Sequence, residues 1–306
     1  MTTFSIIIPC FNAASTLGQT LDAITAQTFT DWEALCIDDG SNDATRDLIC
    51  TYAKSDPRIR LLTNDGKGPS RARNLAGLQA AVGDIFAFCD ADDIWTPQKL
   101  TQLHGAFADR STDAAFGQIA FFDHSIDVIS TYSSVPATPV TIRMLLGENP
   151  VCTMSNVAVR GHVFRAMGGF DERMVHNEDL DWLIRLVGGG ACVRGLDALH
   201  TYYRASPSGL SADLPAMQAG RAAAVRTARR FGHNPTRTEE AIYARYLARR
   251  ALRLGHGRTQ ALRLALGGIC TSPWGFFNVP RRGCFTLLAA LTCPFLPTNL
   301  SRKLFA

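Results

Sequence analysis

Short apolar runs alternate with amphipathic stretches through the first 110 residues, and no other feature narrows the possible folds as much. Candidate strands fall at 4–8, 34–38, 59–62 and 85–89, and candidate helices near 15–27, 43–54, 70–81 and 97–108. A strand reached through a helical crossover returns parallel to the one before it. The pattern βαβαβαβ therefore predicts an α/β fold with a mostly parallel central sheet. Three of these strands run into polar clusters: Pro9 to Asn12, Asp38-Asp39-Gly40-Ser41, and Asp90-Ala91-Asp92-Asp93. Parallel strands end on one edge, and ligands of open α/β sheets bind there. Three clusters on one edge predict one site.

The last cluster places three carboxylates in four positions behind the run Ile85-Phe86-Ala87-Phe88-Cys89. Like charges this close repel, and a hard divalent cation among them relieves the repulsion. They are not needed to start the next helix, because Thr96-Pro97 offers a cap and a first helical residue. Around Asp38 and Asp39, capping accounts for Gly40, Ser41 and Asp43. The two remaining carboxylates are then available to a nucleobase imide or a ribose hydroxyl. The loop Gly66 to Asn74 (GKGPSRARN) gathers Lys67, Arg71 and Arg73 ahead of a helix, a set that suits a diphosphate as well as it suits a solvated basic face. Its spacing is not that of a Walker loop. Finally, Glu178, Asp179 and Asp181 open an apolar helix within His176 to Arg185. The helix dipole accounts for one or two of them. A carboxylate at the mouth of an apolar site also serves as a general base.

Beyond residue 110 the pattern loosens. Ala115–Phe122, 155–160 and 191–195 are candidate strands, 130–150 reads as a loop-rich excursion, and Asp179–Val187 begins a helix. From about 215 the chain turns helical and rich in arginine, over 215–231, 238–254 and 259–267. The net charge of +4 conceals an asymmetry. Residues 221–306 hold 15 Lys and Arg against only Glu239 and Glu240, leaving 16 basic and 25 acidic residues before them. A basic tail seeks phosphate, on nucleic acid or on a membrane surface. The apolar stretch 284–297 is broken by Pro294 and falls short of the roughly 18 residues that span a bilayer. It could lie in the interface, with Trp274, Phe276 and Phe277 as anchors, or pack as a helical subdomain. No nucleic-acid module is recognisable, and none is expected as a partner. Nine cysteines are scattered singly, which argues against a disulfide framework or zinc site and for a reducing compartment. With Phe4 to Pro9 too short for a signal sequence, the expectation is a cytoplasmic protein, peripheral at the inner face of the membrane.

The order of these segments resembles the family-2 glycosyltransferases of GT-A fold. The matching stretches are SIIIPCFNAASTLGQTLDAITAQTFTDWEALCIDDGSNDAT at 5–45, ARNLAGLQAAVGDIFAFCDADDIWTPQKL at 72–100 and VRGHVFRAMGGFDERMVHNEDLDWLIRL at 159–186. YYRASPSGLS at 202–211 is similar to the family's closing element. The resemblance implies a GT-A Rossmann-like α/β/α sandwich over 1–215, with a nucleotide-binding half at 1–110 and an acceptor half at 111–215. A helical extension at 216–306 follows. It implies inverting transfer of one sugar from a nucleotide-sugar donor, UDP-linked, to a hydroxyl of a glycan or lipid-linked acceptor in bacterial surface-polysaccharide assembly.

By position, the resemblance implies that Asp39 contacts the base, that Pro9 and Phe11 line it, and that Asp38 lies nearby. Asp92 would hold Mn2+ or Mg2+ on the donor diphosphate, assisted by Asp90 through the ribose or the metal. Arg73 and Arg71 would neutralise phosphate. Asp179 would be the catalytic base, with Glu178 and Arg185 shaping its surroundings. Asp93 reads as structural, and His200 as a packed side chain rather than a further metal or phosphate contact. The Gln-x-x-Arg-Trp motif of processive synthases is missing, since Gln218-Ala-Gly-Arg221 lacks the Trp, which argues against a chain-extruding synthase. A metal-dependent nucleotidyltransferase would use the paired acids but leave the Asp179 segment without a role. A non-catalytic protein binding nucleic acid or membrane would use only the tail.

Overall fold

The computed structural model describes residues 3–123, 125–205, 213–254 and 259–296. The chain divides into two compact units, one of Met1–Val140 with Pro150–Ala205, the other of Thr141–Asn149 with Ser206–Ala306.

The first unit is built on a nine-stranded sheet. Its parallel half runs β3 (Ile59–Thr63), β2 (Trp32–Asp38), β1 (Phe4–Cys10) and β4 (Ile85–Phe88). Helices α1 (Leu17–Thr25), α2 (Thr45–Ser55), α3 (Pro69–Leu75) and α4 (Lys99–Phe107) link or follow these strands. β1 is the central strand, covered on both faces, and its continuous apolar run Phe4 to Ile8 reflects that burial. One face packs Ile6 and Ile8 against Leu17, Leu21, Leu100 and Leu103. Past β4 the sheet becomes mixed. β8 (Val157–Arg160) lies antiparallel to β4 and to β6 (Ala114–Phe122), which pairs in parallel with β9 (Val193–Arg204), and helices α6 (Gly161–Ala166) and α7 (Glu178–Gly188) come between β8 and β9 in the chain. β5 (Ile94–Trp95) and β7 (Ile129–Tyr132) add antiparallel edges to β9 and β6.

Three expectations need correction here. β9 extends nine residues beyond 195, because Gly195 breaks the apolar alternation for a packing reason. A Cβ at Gly195 would lie 1.9 Å from Val135 Cγ1. The stretch 130–150 is more ordered than a loop, holding the end of β7 and α5 (Ile142–Gly147). Thr96 does not cap α4, which begins at Lys99; its hydroxyl donates to Leu199 O at 2.8 Å and ties the loop to β9.

The second unit joins α5 to α8 (Leu214–Arg230), α9 (Arg237–Leu254), α10 (Gln260–Thr271), α11 (Pro273–Phe276) and α12 (Pro280–Thr292). Thr141–Asn149, expected in the catalytic half, belongs here, and arginines hold it. Arg221 Nη2 donates to Leu146 O at 2.9 Å, while Arg245 and Arg249 reach Glu148 at 3.2 and 2.9 Å. Part of the basic region is thus internal bracing rather than a free cationic surface. Leu214, Leu247, Ala248, Ala265, Phe276 and Ala290 make the core. Phe276 is therefore no membrane anchor, and Phe277 is half-buried against it with ring centroids 5.1 Å apart. Among the described residues no helix is long and apolar enough to cross a membrane. Residues 206–211 of the expected closing element, and Arg302-Lys303, lie outside the described residues.

Candidate active site

The acidic loop after β4 is fixed by the turn that precedes β8. The N–H of Asp90 donates to Ser155 Oγ at 2.7 Å, and Trp95 Nε1 and Lys99 Nζ donate to Ser155 O at 3.0 and 2.5 Å. The Asp90 carboxylate accepts from Thr153 Oγ1 at 3.2 Å and from Arg73 Nη2 at 2.7 Å. Asp93 is fully buried, as a structural residue would be. It accepts the Arg204 N–H at 2.9 Å, and burial, followed by the charges of Asp92 and Asp90, pushes its pKa well up. Lys99 is buried below, its ammonium driven down to about 7 by burial.

Asp92 lies at the partly exposed end of this loop. Burial first, and the neighbouring charge of Asp90 second, raise its carboxyl to about 6. A carboxylate held at that cost suits a cation. The all-oxygen donor set suits Mn2+ or Mg2+. Among the described residues no three His, Cys, Asp or Glu side chains are grouped to hold an ion by themselves. Asp90, expected to assist Asp92, is held by Arg73 and Thr153.

Arg73 joins the acidic loop to α7 (Glu178–Gly188). Its side chain is 5% exposed and donates to Asp90 Oδ1 at 2.7 Å and Glu178 Oε1 at 3.1 Å. Burial opposes the charge, but the two carboxylates more than offset it and hold the guanidinium's pKa above its ordinary value. Arg73 thus bridges the two acids, the partners the structure gives to the cation expected from sequence to neutralise phosphate. Asp179 sits beside it at the first turn of α7, accepting the Leu180 N–H at 2.7 Å. Burial, then Glu178, raises Asp179 to about 7, with Arg73 pulling the other way and Asp90 adding to the rise.

The packing behind α7 explains why it stays in place. Trp182 is buried among Phe88, Phe164 and Phe170, with ring centroids 5.2 to 6.0 Å away. Arg185 donates to Asp181 Oδ2 at 2.9 Å and Gly169 O at 2.8 Å, tying the helix to the loop before it. Asn74 clasps the same loop through Phe170 N and O at 2.8 and 2.9 Å. Gly169 is required there: its φ is +72°, and a Cβ would come 2.2 Å from Asn74 Oδ1.

At the other end of the edge, Asp39 accepts from Asn64 Nδ2 at 2.6 Å and the Gly68 N–H at 2.9 Å. Gly68 has φ +90°, a backbone only glycine adopts readily, and that turn aims its N–H at Asp39. Phe11 is exposed and Pro9 half-buried beside this loop's strand, with Lys67 Nζ 5.5 Å from the Phe11 ring. Asp38 is buried and accepts the Ser41 N–H at 3.1 Å. Arg71, partly exposed, pairs with Asp65 and Glu172 at 2.6 and 3.2 Å. His200 is buried, and burial drives its pKa down to about 3; it is a packed side chain.

The Glycosyl transferase family 2 profile matches residues 5–168 of this chain. The chain belongs to glycosyl transferase family 2. It is 30% identical over 211 residues, 68% of this chain and 79% of the relative, to the UDP-Glc:alpha-D-GlcNAc-diphosphoundecaprenol beta-1,3-glucosyltransferase WfgD of Escherichia coli. Its fold is that of GT-A glycosyltransferases. S. aureus TarS 1-349 in complex with UDP-GlcNAc superposes with a TM-score of 0.60 at 18% identity, covering 98% of this chain and 87% of that one. The mannosyltransferase PcManGT from Pyrobaculum calidifontis, in complex with GDP-Man and Mn2+, gives 0.59 at 17%, covering 98% and 86%.

Sequence reasoning overlooked several residues around the site of this family 2 glycosyltransferase. Thr153 and Ser155 grip the Asp90 loop, and Arg204 holds its far side. Arg204 Nε donates to Asp92 O at 3.0 Å and Nη2 to Gln19 Oε1 at 2.6 Å. Thr153 and Ser155 sit in a short polar turn ahead of an ordinary strand, which marks nothing by itself. Arg204 ends a strand as a lone cation, a weak signal that becomes meaningful only once β9 is known to run beside the acids.

Proposed function

We propose that this glycosyltransferase transfers one sugar, with inversion, from a UDP-sugar to a hydroxyl of a glycan or lipid-linked acceptor, using a divalent metal at Asp92. The observation that carries the reading is the Arg73 bridge, which sets the Asp90–Asp92 loop and the Asp179 helix against one guanidinium. Asp179, raised to about 7, exchanges its proton readily near neutrality, as a base taking the acceptor hydroxyl's proton must. A Mn2+ or Mg2+ ion held by Asp92 would supply Lewis-acid stabilisation of the departing diphosphate. Asp39, Phe11 and Pro9 receive the base and ribose, and Asp90 and Glu178 keep Arg73 and Asp179 in register. WfgD's acceptor, a diphosphoundecaprenol-linked GlcNAc, supports a lipid-linked acceptor here. The basic second unit supports a cytoplasmic protein peripheral at an anionic membrane surface.

Titration of UDP-sugars with and without Mn2+ tests the donor site. Asp92→Ala is expected to weaken metal-dependent donor binding by about tenfold or more, leaving the metal-free binding unchanged. Equal donor affinity in wild type and Asp92→Ala, with Mn2+ present, would remove the metal role.

A further inference from the structure

The helix α12 carries several of its large apolar residues on the solvent side. Gly283, Thr286 and Ala290 are its buried stripe, while Phe285, Leu288 and Leu291 are 61%, 57% and 44% exposed. Phe295, just beyond the helix, is 87% exposed. Spacings of three and four residues align these side chains along one face. Trp274 of α11 is 90% exposed, whereas Trp32, Trp95 and Trp182 are buried. Arg281 is exposed at the N-terminal end of the stripe, its guanidinium carbon 5.9 Å from the Phe285 ring.

We propose that this face, made by Phe285, Leu288, Leu291 and Phe295, docks on an anionic lipid bilayer, with the exposed Trp274 of α11 as a further aromatic anchor. The proposal rests on the membrane reading given above and names the residues that make the contact; it does not depend on the catalytic assignments. Charge decides the occupant. A second copy of the chain would bring the same excess of 15 basic over two acidic residues in 221–306, which the pairing of Arg245 and Arg249 with Glu148 reduces but does not cancel, and the two would repel. Anionic headgroups neutralise that excess. Arg281 then lies at headgroup level while Phe285 and Leu288 enter the acyl boundary. With no spanning helix among the described residues, the contact they make is interfacial.

The test is co-sedimentation of the full chain with phosphatidylglycerol and with phosphatidylcholine vesicles, read together with fluorescence quenching by brominated phospholipids. Binding to phosphatidylglycerol is expected, with quenching that disappears in Trp274→Phe, since the other three tryptophans are buried. Phe285→Ser/Leu288→Ser is expected to lower vesicle affinity about tenfold or more while donor hydrolysis is retained. If that double variant fails to fold, Trp274→Ala alone must still lower the affinity. Absence of phosphatidylglycerol binding, unchanged affinity in the variants, or a wild-type dimer that the double variant dissociates would each overturn the proposal. Loss of transfer activity toward a soluble acceptor bears on the catalytic reading, and vesicle binding separates the two.

Discussion

Asp179→Asn is expected to lower kcat by about 10²–10⁴-fold, the usual cost of losing a general base, while donor affinity is retained. In the wild type, activity should rise with pH through about 7, where the half-buried carboxyl loses its proton. The same shift has a stability consequence of definite sign. A carboxyl whose pKa is higher in the folded state binds more protons folded than unfolded, so it favours folding at low pH. That contribution is lost as pH rises from about 4 to about 7. Asp179→Asn should therefore raise Tm relative to wild type at pH 8 and not at pH 4. Near-wild-type turnover in the variant, or a pH profile without a limb near 7, would reassign the base.

The second large effect is expected at Arg73. Removing it by Arg73→Met leaves Asp90, Glu178 and Asp179 together without their shared cation. Breaking a buried ion pair on one side costs about 3–5 kcal/mol. A thermal or urea melt should show that loss. Because Arg73 lowers the pKa of Asp179, any surviving activity should have its acid limb displaced to higher pH. Arg73→Lys should recover only part of the stability, since a point charge cannot span two carboxylates as the guanidinium fork does. A melt unchanged from wild type would mean that the bridge is not what holds the acidic loop to α7.

Much of this was legible in the sequence where the signal is local. The run Phe4 to Ile8, the acids closing β4 and the amphipathic α1 each announce their element through period and polarity. Their convergence follows from parallel strands sharing an edge. What stayed hidden depends on long-range pairing. Arg71 and Arg73 look equivalent in GKGPSRARN, but two residues apart on a helix they face different ways. One is buried on Asp90 and Glu178, the other surface-bound to Asp65 and Glu172. Thr153, Ser155 and Arg204 reach the acids from 63 to 112 residues away, and no local pattern encodes those contacts. Phe276 and Trp274 likewise share an apolar segment, yet one fills a core and the other faces solvent.

The central claim is that one sugar crosses from a nucleoside diphosphate to an acceptor hydroxyl, with Asp179 acting opposite the leaving group. The most direct measurement is transfer from a UDP-sugar in the presence of Mn2+, reading both the released nucleotide and, by NMR, the anomeric configuration of the product. Release of UDP with an inverted anomeric centre is the predicted result. A retained configuration, or pyrophosphate in place of UDP, would contradict it.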